Sequence, residues 1–451
     1  MSNWIKFAIQ SRTARSICIL TLIVFTSLFS GSQAAGSLHA ALANSLQPQA
    51  AVVGDGTPAS CTNQALADAL AVGGLISFNC GLLPHTIPVT TLIIDDDMQI
   101  TLDGNGRISL DGSSSSQIFQ VLDGGQLTLR NLSLLNGSSG NGAALYNNQG
   151  GLARLSWVTI SDCQAGSGGA IYNLGNLDIQ YSALTGNSAN FSGGAIYNSG
   201  SLSISHSQLS ANHATHSGGA ILNSNGTLTI QFSTLNANTS ENGGGISQNS
   251  GTTNLLNSLL TGNDALFNGG GIENLNGNLN LTNLTFSANL ADRGGGMHNS
   301  GQATLTNLTF QANRAEQGGA LFNDNGANSV LNSIFSGSLN RDGSAPSLNC
   351  DGPTLLSEGY NIVSDGSCIL VDIPGDQRNT DPLLGGLQAN GGPTLTHFPA
   401  SGSPAINQGS NTGCPAVDQR GGHRPAGLVC DIGAVETSAP LPRAWLPLAQ
   451  R

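Results

Sequence analysis

Glu273 and His298 are the two side chains in this sequence best placed to move a proton together. Each stands fifth in a recurring phrase, GGGIEN from Gly269 and GGGMHN from Gly294, and the two phrases begin 25 residues apart. A carboxylate next to an imidazole is a general acid–base combination. Asp292, Arg293, Arg314 and Glu316 recur at one corner of the neighbouring units. The competing reading is a solvated face with weak surface ion pairs, and we expect no catalytic site. Asp95, Asp96 and Asp97 form an acidic run of the kind calcium uses, but we read it as a turn, since no GGxGxD repeat accompanies it. No metal or cofactor is expected.

Binding chemistry has a second candidate. Tyr146, Tyr172 and Tyr197 hold the same fifth position in three successive phrases. Stacked in register they make an aromatic strip able to hold sugar rings or a partner protein. A ladder that only stabilises the fold is the alternative. Cysteine chemistry is structural. Outside the leader, six cysteines group as Cys61–Cys80, Cys350–Cys368 and Cys414–Cys430, although six allow 15 pairings. A disulfide over loops of that size contributes roughly 3 kcal/mol. Cys163 takes a position held by Asn187 and Asn212 in later units and reads as a buried thiol. The Asn-x-Ser/Thr sites at Asn131, Asn225, Asn283 and Asn307 follow from repeat composition.

What must position these side chains is the repeat itself. GGAIYN occurs at Gly168 and Gly193. Variants begin at Gly142, Gly218, Gly243, Gly269, Gly294 and Gly318, and from Gly168 the successive spacings are 25, 25, 25, 26, 25 and 24 residues. A period in this range dictates architecture. Between phrases, apolar residues alternate with polar ones, as in Leu177 and Ile179, Leu202 and Ile204, and Leu228 and Ile230, which is a strand period. Glycine and asparagine separate these pairs, so bends fall there. Each unit is therefore one coil of short strands, and stacked coils make a parallel solenoid. The fourth phrase position (Leu145, Ile171, Ile196, Ile221, Ile246, Ile272, Met297, Leu321) is always apolar and should point inward. The fifth is mixed and should point outward. Asn147, Asn173, Asn198, Asn223, Asn274, Asn299 and Asn323 should stack as an amide ladder, with the coil from Gly243 shifting its member to Asn249.

The remaining sequence bounds the context. Only 9% of the 451 residues are charged, and 61 are glycine. Without the leader's Lys6, Arg12 and Arg15, 11 arginines face 26 acids, a balance of −15, which argues against nucleic acid as a partner. Residues 1–43 read as a signal peptide: a basic start, an apolar run from Ile17 to Phe29, and small residues up to Ala34 or Ala43. No later stretch is long enough to span a bilayer. Residues 44–60 read as a linker. Residues 61–98 read as an N-terminal cap and first strands, with Thr62 capping a helix that turns Ala65, Leu66, Ala69 and Leu70 to one side. Residues 99–340 read as the solenoid, about ten coils of about 25 residues. Residues 341–436, rich in proline, read as an irregular C-terminal cap, and 437–451 as a tail.

The GGAIYN and GGGIEN phrases resemble the repeats of chlamydial polymorphic outer-membrane proteins. The block DPLLG…NGGPT…GSPAI…DQRG…RP…CDIGAVE, from Asp381 to Glu436, is similar to the terminal block of the choice-of-anchor Q family. Together these resemblances cover residues 60–450. They imply an all-β, right-handed parallel β-helix of the pectin-lyase type on an exported protein, secreted or held at the cell surface. The polymorphic proteins end in an outer-membrane barrel that has no counterpart here, so insertion into the outer membrane is not expected. The expected role is adhesion, or binding of an extracellular polysaccharide or cell-surface protein. The alternative is a polysaccharide lyase or glycoside hydrolase, which this fold also hosts; for it, acids are sparse between Gly142 and Asn323 and lysine is absent there.

Overall fold

A computed structural model describes residues 50–353, 355–368 and 373–439. The signal peptide, the start of the linker and the tail from Pro440 lie outside these residues. The chain forms an all-β parallel solenoid of about 13 turns. Each regular coil contributes to three sheets. The phrase strands, such as Ile171–Asn173 and Ile196–Asn198, make a sheet of 11 strands. The alternating pairs, such as Asn176–Gln180 and Ala183–Thr185, make a sheet of 23. Short strands such as Gln164–Ser167 and Thr239–Asn242 make a third sheet of six.

Register is kept from coil to coil. Ile171 pairs with Leu145 on one side and Ile196 on the other, and Ile196 pairs with Ile221. All eight fourth-position residues are fully buried. Inward columns of Leu and Ile from the long sheet meet them. In the last coils Phe286, Phe310 and Phe335 replace leucine and stack at 4.5 and 5.0 Å. Alanine gives way to glycine opposite two of these rings: a Cβ on Gly271 would lie 3.0 Å from Phe286, and one on Gly296 would lie 2.7 Å from Phe310.

The third side of the core is narrow. Its inward column is Ala165, Ala189, Ala214, Ser240, Ala265, Ala291 and Ala315, all buried. Small residues there let the short sheet approach the other two closely.

Buried amides hold the corners. In the first ladder Nδ2 of Asn147, Asn173 and Asn198 donates to Oδ1 of the next rung, 2.8 Å away each time. The expected shift to Asn249 is not what occurs. Gln248 takes the rung and accepts from Asn223 at 2.8 Å, while its own Nε2 finds no partner and the run stops before Asn274. A longer side chain at a fixed coil rise overshoots the next acceptor. A second ladder follows Asn187, Asn212, Asn238, Asn263, Asn289 and Asn313. There both the backbone N–H and Nδ2 of one rung donate to Oδ1 of the next, as from Asn212 to Asn238 at 3.0 and 2.9 Å.

The solenoid extends past both expected limits. Ala50–Val53, expected to be linker, is a strand paired in parallel with Gly74–Phe78, which pairs with Gln99–Asp111. Strands also continue beyond 340, through Cys350–Asp351, Leu356–Gly359, Ile362–Val363 and Gln377–Arg378. The count rises from ten because these end coils lack the glycine phrase and vary in length. The one α-helix among the described residues, Asn63–Val72, begins where Thr62 Oγ1 accepts from the Ala65 N–H at 3.1 Å. Leu66, Ala69 and Leu70 are buried in the same core as Val53 and Ile76.

The region read as an irregular C-terminal cap folds back along a flank. Asn283 Nδ2 donates to Val417 O (2.7 Å), Asn307 Nδ2 to Asp431 O and Gly433 O (3.1 Å each), and Asn332 Nδ2 to Ser410 O (3.0 Å). These asparagines hold positive φ of 51 to 54° at one bend of successive coils, and the bend turns their amides to the flank, where the returning chain meets them. Two of the sequon residues, Asn283 and Asn307, are thereby buried.

Burial decides what an amide contributes. Removing one partner of a buried pair leaves the other unsatisfied. Asn198→Ala, which strips partners from Asn173 and Asn223, should cost about 2–4 kcal/mol in urea unfolding. Asn280→Ala breaks a bond of similar length, 2.9 Å to Asn254, on the exposed face, and should cost under about 0.5 kcal/mol. Equal costs would show that the ladder is not a special support.

Candidate binding surface

The fifth phrase position does not form a uniformly outward column. Its register runs unbroken from Ile93 through Gln120, Tyr146, Tyr172, Tyr197, Leu222, Ser247, Glu273 and His298 to Phe322. The tyrosines are half-buried, but Leu222, Ser247, Glu273 and His298 are buried, with Glu273 3% and His298 2% exposed. These four lie between bulkier neighbours, and Arg293 lies over the Phe322 ring at 5.5 Å. The sequence pairs Glu273 and His298 correctly, as direct partners on adjacent strands, but a polymer on the surface does not reach them.

Their electrostatics follow from burial. Glu273 accepts from Ser247 Oγ at 2.9 Å. Burial pushes its carboxyl above the usual range, against hydrogen bonds from Ser247 and Asn268 and the charge of Arg293. Burial, reinforced by Arg293, pulls His298 down to about 4, with Asp324 opposing. Neither ring nitrogen of His298 has a hydrogen-bond partner among the described residues, and Nε2 stands 3.9 Å from Asp324 Oδ2. Its ring stacks on Phe322 at 5.5 Å.

Tyr146, Tyr172 and Tyr197 do stack, at 5.3 and 4.4 Å with planes within 6°. Burial and the flanking tyrosines push the Tyr172 hydroxyl up to about 12. Stacking has a consequence for binding: each inner ring face is covered by its neighbour, with Gln120 and Leu222 next in the column, so the ladder offers ring edges and hydroxyls to a ligand. Periodicity also contains a second aromatic ladder, missed in the sequence: Trp157, Tyr181, His206 and Phe232 stack at 4.8, 4.9 and 5.1 Å. They adopt positive φ at the bend where later coils carry Asn257, Asn283, Asn307 and Asn332. The 24–26-residue spacing and the later asparagines were the available signal.

The corner charges do not pair among themselves as expected. Arg341, from the loop after the last regular coil, reaches back to Asp292 (3.1 Å) and Asp264 (3.5 Å). It lines a cleft of about 270 Å³ with His213, Thr215, Thr239, Ser240, Glu241, Asp264 and Leu266. His213 Nδ1 meets Thr239 Oγ1 at 2.9 Å, and His216 Nδ1 meets Glu241 at 3.0 Å. Asp95–Asp97 form a turn in which Asp95 accepts from the Asp96 N–H and Asp97 takes φ 63°.

The acidic and basic residues Asp418, Arg420, Arg424 and Glu436 of the C-terminal block form a buried network. Arg420 pairs with Asp418 at 2.8 Å and Arg424 with Glu436 at 3.3 Å. Arg420 Nη2 donates to Glu436 O, and Arg424 Nη2 to Gly433 O, both at 2.6 Å. All four side chains are buried, so the network pins the returning segment and offers no surface. The three expected disulfides form, Cys61–Cys80, Cys350–Cys368 and Cys414–Cys430, as in proteins of oxidising compartments. No helix among the described residues is long and apolar enough to cross a membrane. Cys163 is buried and free, and burial pushes its thiol up to about 12.

Two opposed pH effects follow. Folding favours neutral His298, so its stabilisation is complete above the unfolded value near 6.5 and is lost as pH falls toward 4, at most about 3 kcal/mol. Folding also favours protonated Glu273, whose penalty is present above its raised value and relieved on acidification. His298→Phe should remove the acid-side loss in urea midpoints between pH 7 and 4, and Glu273→Gln should raise the midpoint at pH 7. Unchanged pH profiles in both variants would contradict this account.

No family model matches the chain, and no curated protein matches it.

Proposed function

We propose that this protein is an exported, non-catalytic β-solenoid, secreted or displayed at the cell surface, that uses its side to bind an extracellular polysaccharide or a cell-surface protein. The observation that carries this reading is the half-exposed tyrosine ladder. Three hydroxyls and ring edges repeat along the rod at coil spacing, which suits an extended ligand lying parallel to the axis. Burial of Glu273 and His298 weighs against the lyase or hydrolase alternative at that pair. The disulfides fit an extracytoplasmic destination, as does the signal-like N-terminus.

The finer architecture belongs to the same reading. The coil is right-handed, as resemblance to choice-of-anchor Q and polymorphic outer-membrane proteins implies. The helix Asn63–Val72 shields the first coils and the 341–436 region shields the last, since a solenoid needs its open edges covered.

A glycan array and a cell-binding assay test the proposal. Binding should appear, and the double variant Tyr172→Ala/Tyr197→Ala should weaken it at least about tenfold, the loss of roughly 1.4 kcal/mol. Unaffected binding removes the ladder from the interface. Turnover of an acidic polysaccharide that disappears in Glu273→Gln overturns the non-catalytic reading.

A further inference from the structure

We infer that the first strand of the solenoid, Ala50–Val53, is a docking edge for a basic, strand-forming segment of another protein. The site lies at the end of the solenoid and uses none of the residues of the tyrosine ladder.

Among the described residues, Ala50–Val53 pairs in parallel with Gly74–Phe78 and with no other strand. Successive residues of a strand turn their N–H and C=O groups to opposite sides. Val53 O accepts from the Asn79 N–H at 2.8 Å, on the side of Gly74–Phe78. Ala50 and Val52 therefore present their backbone groups on the opposite side, where no described residue bonds to them. The helix Asn63–Val72 closes the core with Leu66, Ala69 and Leu70, but Val52 stays 60% exposed.

Proteins commonly blunt such an edge with proline, lysine or a bulge. The strand reads Ala-Ala-Val-Val, its register is unbroken, and only its shortness protects it. The chain has no coil of its own to lay there. One coil takes about 25 residues. With the leader removed at Ala34 or Ala43, at most 15 residues precede Ala50.

Chemistry around the edge selects the partner. On the outer face Ala50 and Val52 lie beside Leu75 and Ser77, and Leu75 is half-exposed. Asp55, two residues past the strand, and Asp68, on the helix, are both exposed. From Ala50 to Gly106 the chain carries six aspartates and neither lysine nor arginine. A second copy would bring a like-charged end to this one and be repelled, whereas lysine and arginine side chains are attracted. An added strand supplies hydrogen bonds to Ala50 and Val52. Its apolar residues rest on Val52 and Leu75, and its cations face Asp55 and Asp68.

Fluorescence anisotropy with the exported chain tests this, using three short labelled peptides. One alternates lysine with valine, one alternates glutamate with valine, and one has the lysine–valine composition with prolines that forbid a strand. The first should bind, and the other two should bind at least about tenfold more weakly. Val52→Pro removes one edge donor, leaves the bonds to Gly74–Phe78 in place, and should weaken the first peptide about tenfold. Val52→Ala should keep most of the binding, and Asp55→Asn/Asp68→Asn should reduce it. If Val52→Pro lowers the urea midpoint, Val52→Lys decides instead: it keeps every edge hydrogen bond, sets a like charge beside the peptide and should also weaken binding. Tyr172→Ala/Tyr197→Ala should change nothing, so failure of the ladder and failure of the edge are told apart. No binding, equal binding of the proline-bearing peptide, or binding that survives the Val52 variants overturns the edge. A dimer in sedimentation that Val52→Pro disperses makes a second copy the occupant and overturns the basic partner.

Discussion

Hydrogen bonds between identical buried amides in successive coils set the terms for the rest of this molecule. A coil that bends sharply leaves backbone N–H and C=O groups facing inward at its corners, where water does not reach them. Asparagine answers this because its side chain both donates and accepts. In the second ladder one amide satisfies both an N–H and a carbonyl of the preceding coil: Asn212 Oδ1 accepts from the Asn187 N–H at 3.0 Å and its Nδ2 donates to Leu184 O at 3.1 Å, while also reaching Asn238 Oδ1 in the following coil. Serine does similar work at a nearby bend, where the N–H groups of Ser182, Ser207 and Ser233 donate to the hydroxyl of the following coil at 3.1 Å. Leucine and isoleucine drive the collapse, but a polar rung dictates which residue sits above which.

The same register turns composition into ladders wherever like residues recur. Tyrosines stack outside, phenylalanines stack inside, and a tryptophan–tyrosine–histidine–phenylalanine series stacks at a bend. Stacking is favourable for the rod, and it also removes ring faces from a ligand's reach. A ladder therefore makes a poorer sugar platform than its aromatic count suggests, and a better ridge. The ladder's opposite end shows a different outcome of the same geometry. Glu273 and His298 are closely neighboured, yet their column fills in around them, and burial shifts both groups toward their neutral forms.

Chain beyond the repeats is used to cover the later coils on two flanks. One flank receives the segment pinned by Asp418, Arg420, Arg424 and Glu436, a network whose charges are buried and paired; breaking such a pair is costly because the remaining charge stays buried. The other receives Arg341. Earlier coils keep the outer face of the short sheet clear of this loop, and the boundary between covered and uncovered coils produces a concave surface that a uniform solenoid lacks.

The sequence alone determined the coil. A 25-residue period, an invariant aliphatic at one position and alternation at others leave no other way to bury the apolar residues, so Ile171, Ile196 and Ile221 fall in one sheet as expected. The cysteine groups were legible for a similar reason, since each pair is local. Only the tertiary structure decided which fifth-position residues see solvent, because exposure depends on the size of neighbours one coil away and on Arg293. It also decided where residues beyond 340 go. Their contacts with Ala265, Asn307 and Asn283 span from 76 to 134 residues of sequence, and no local period or propensity carries information over that distance.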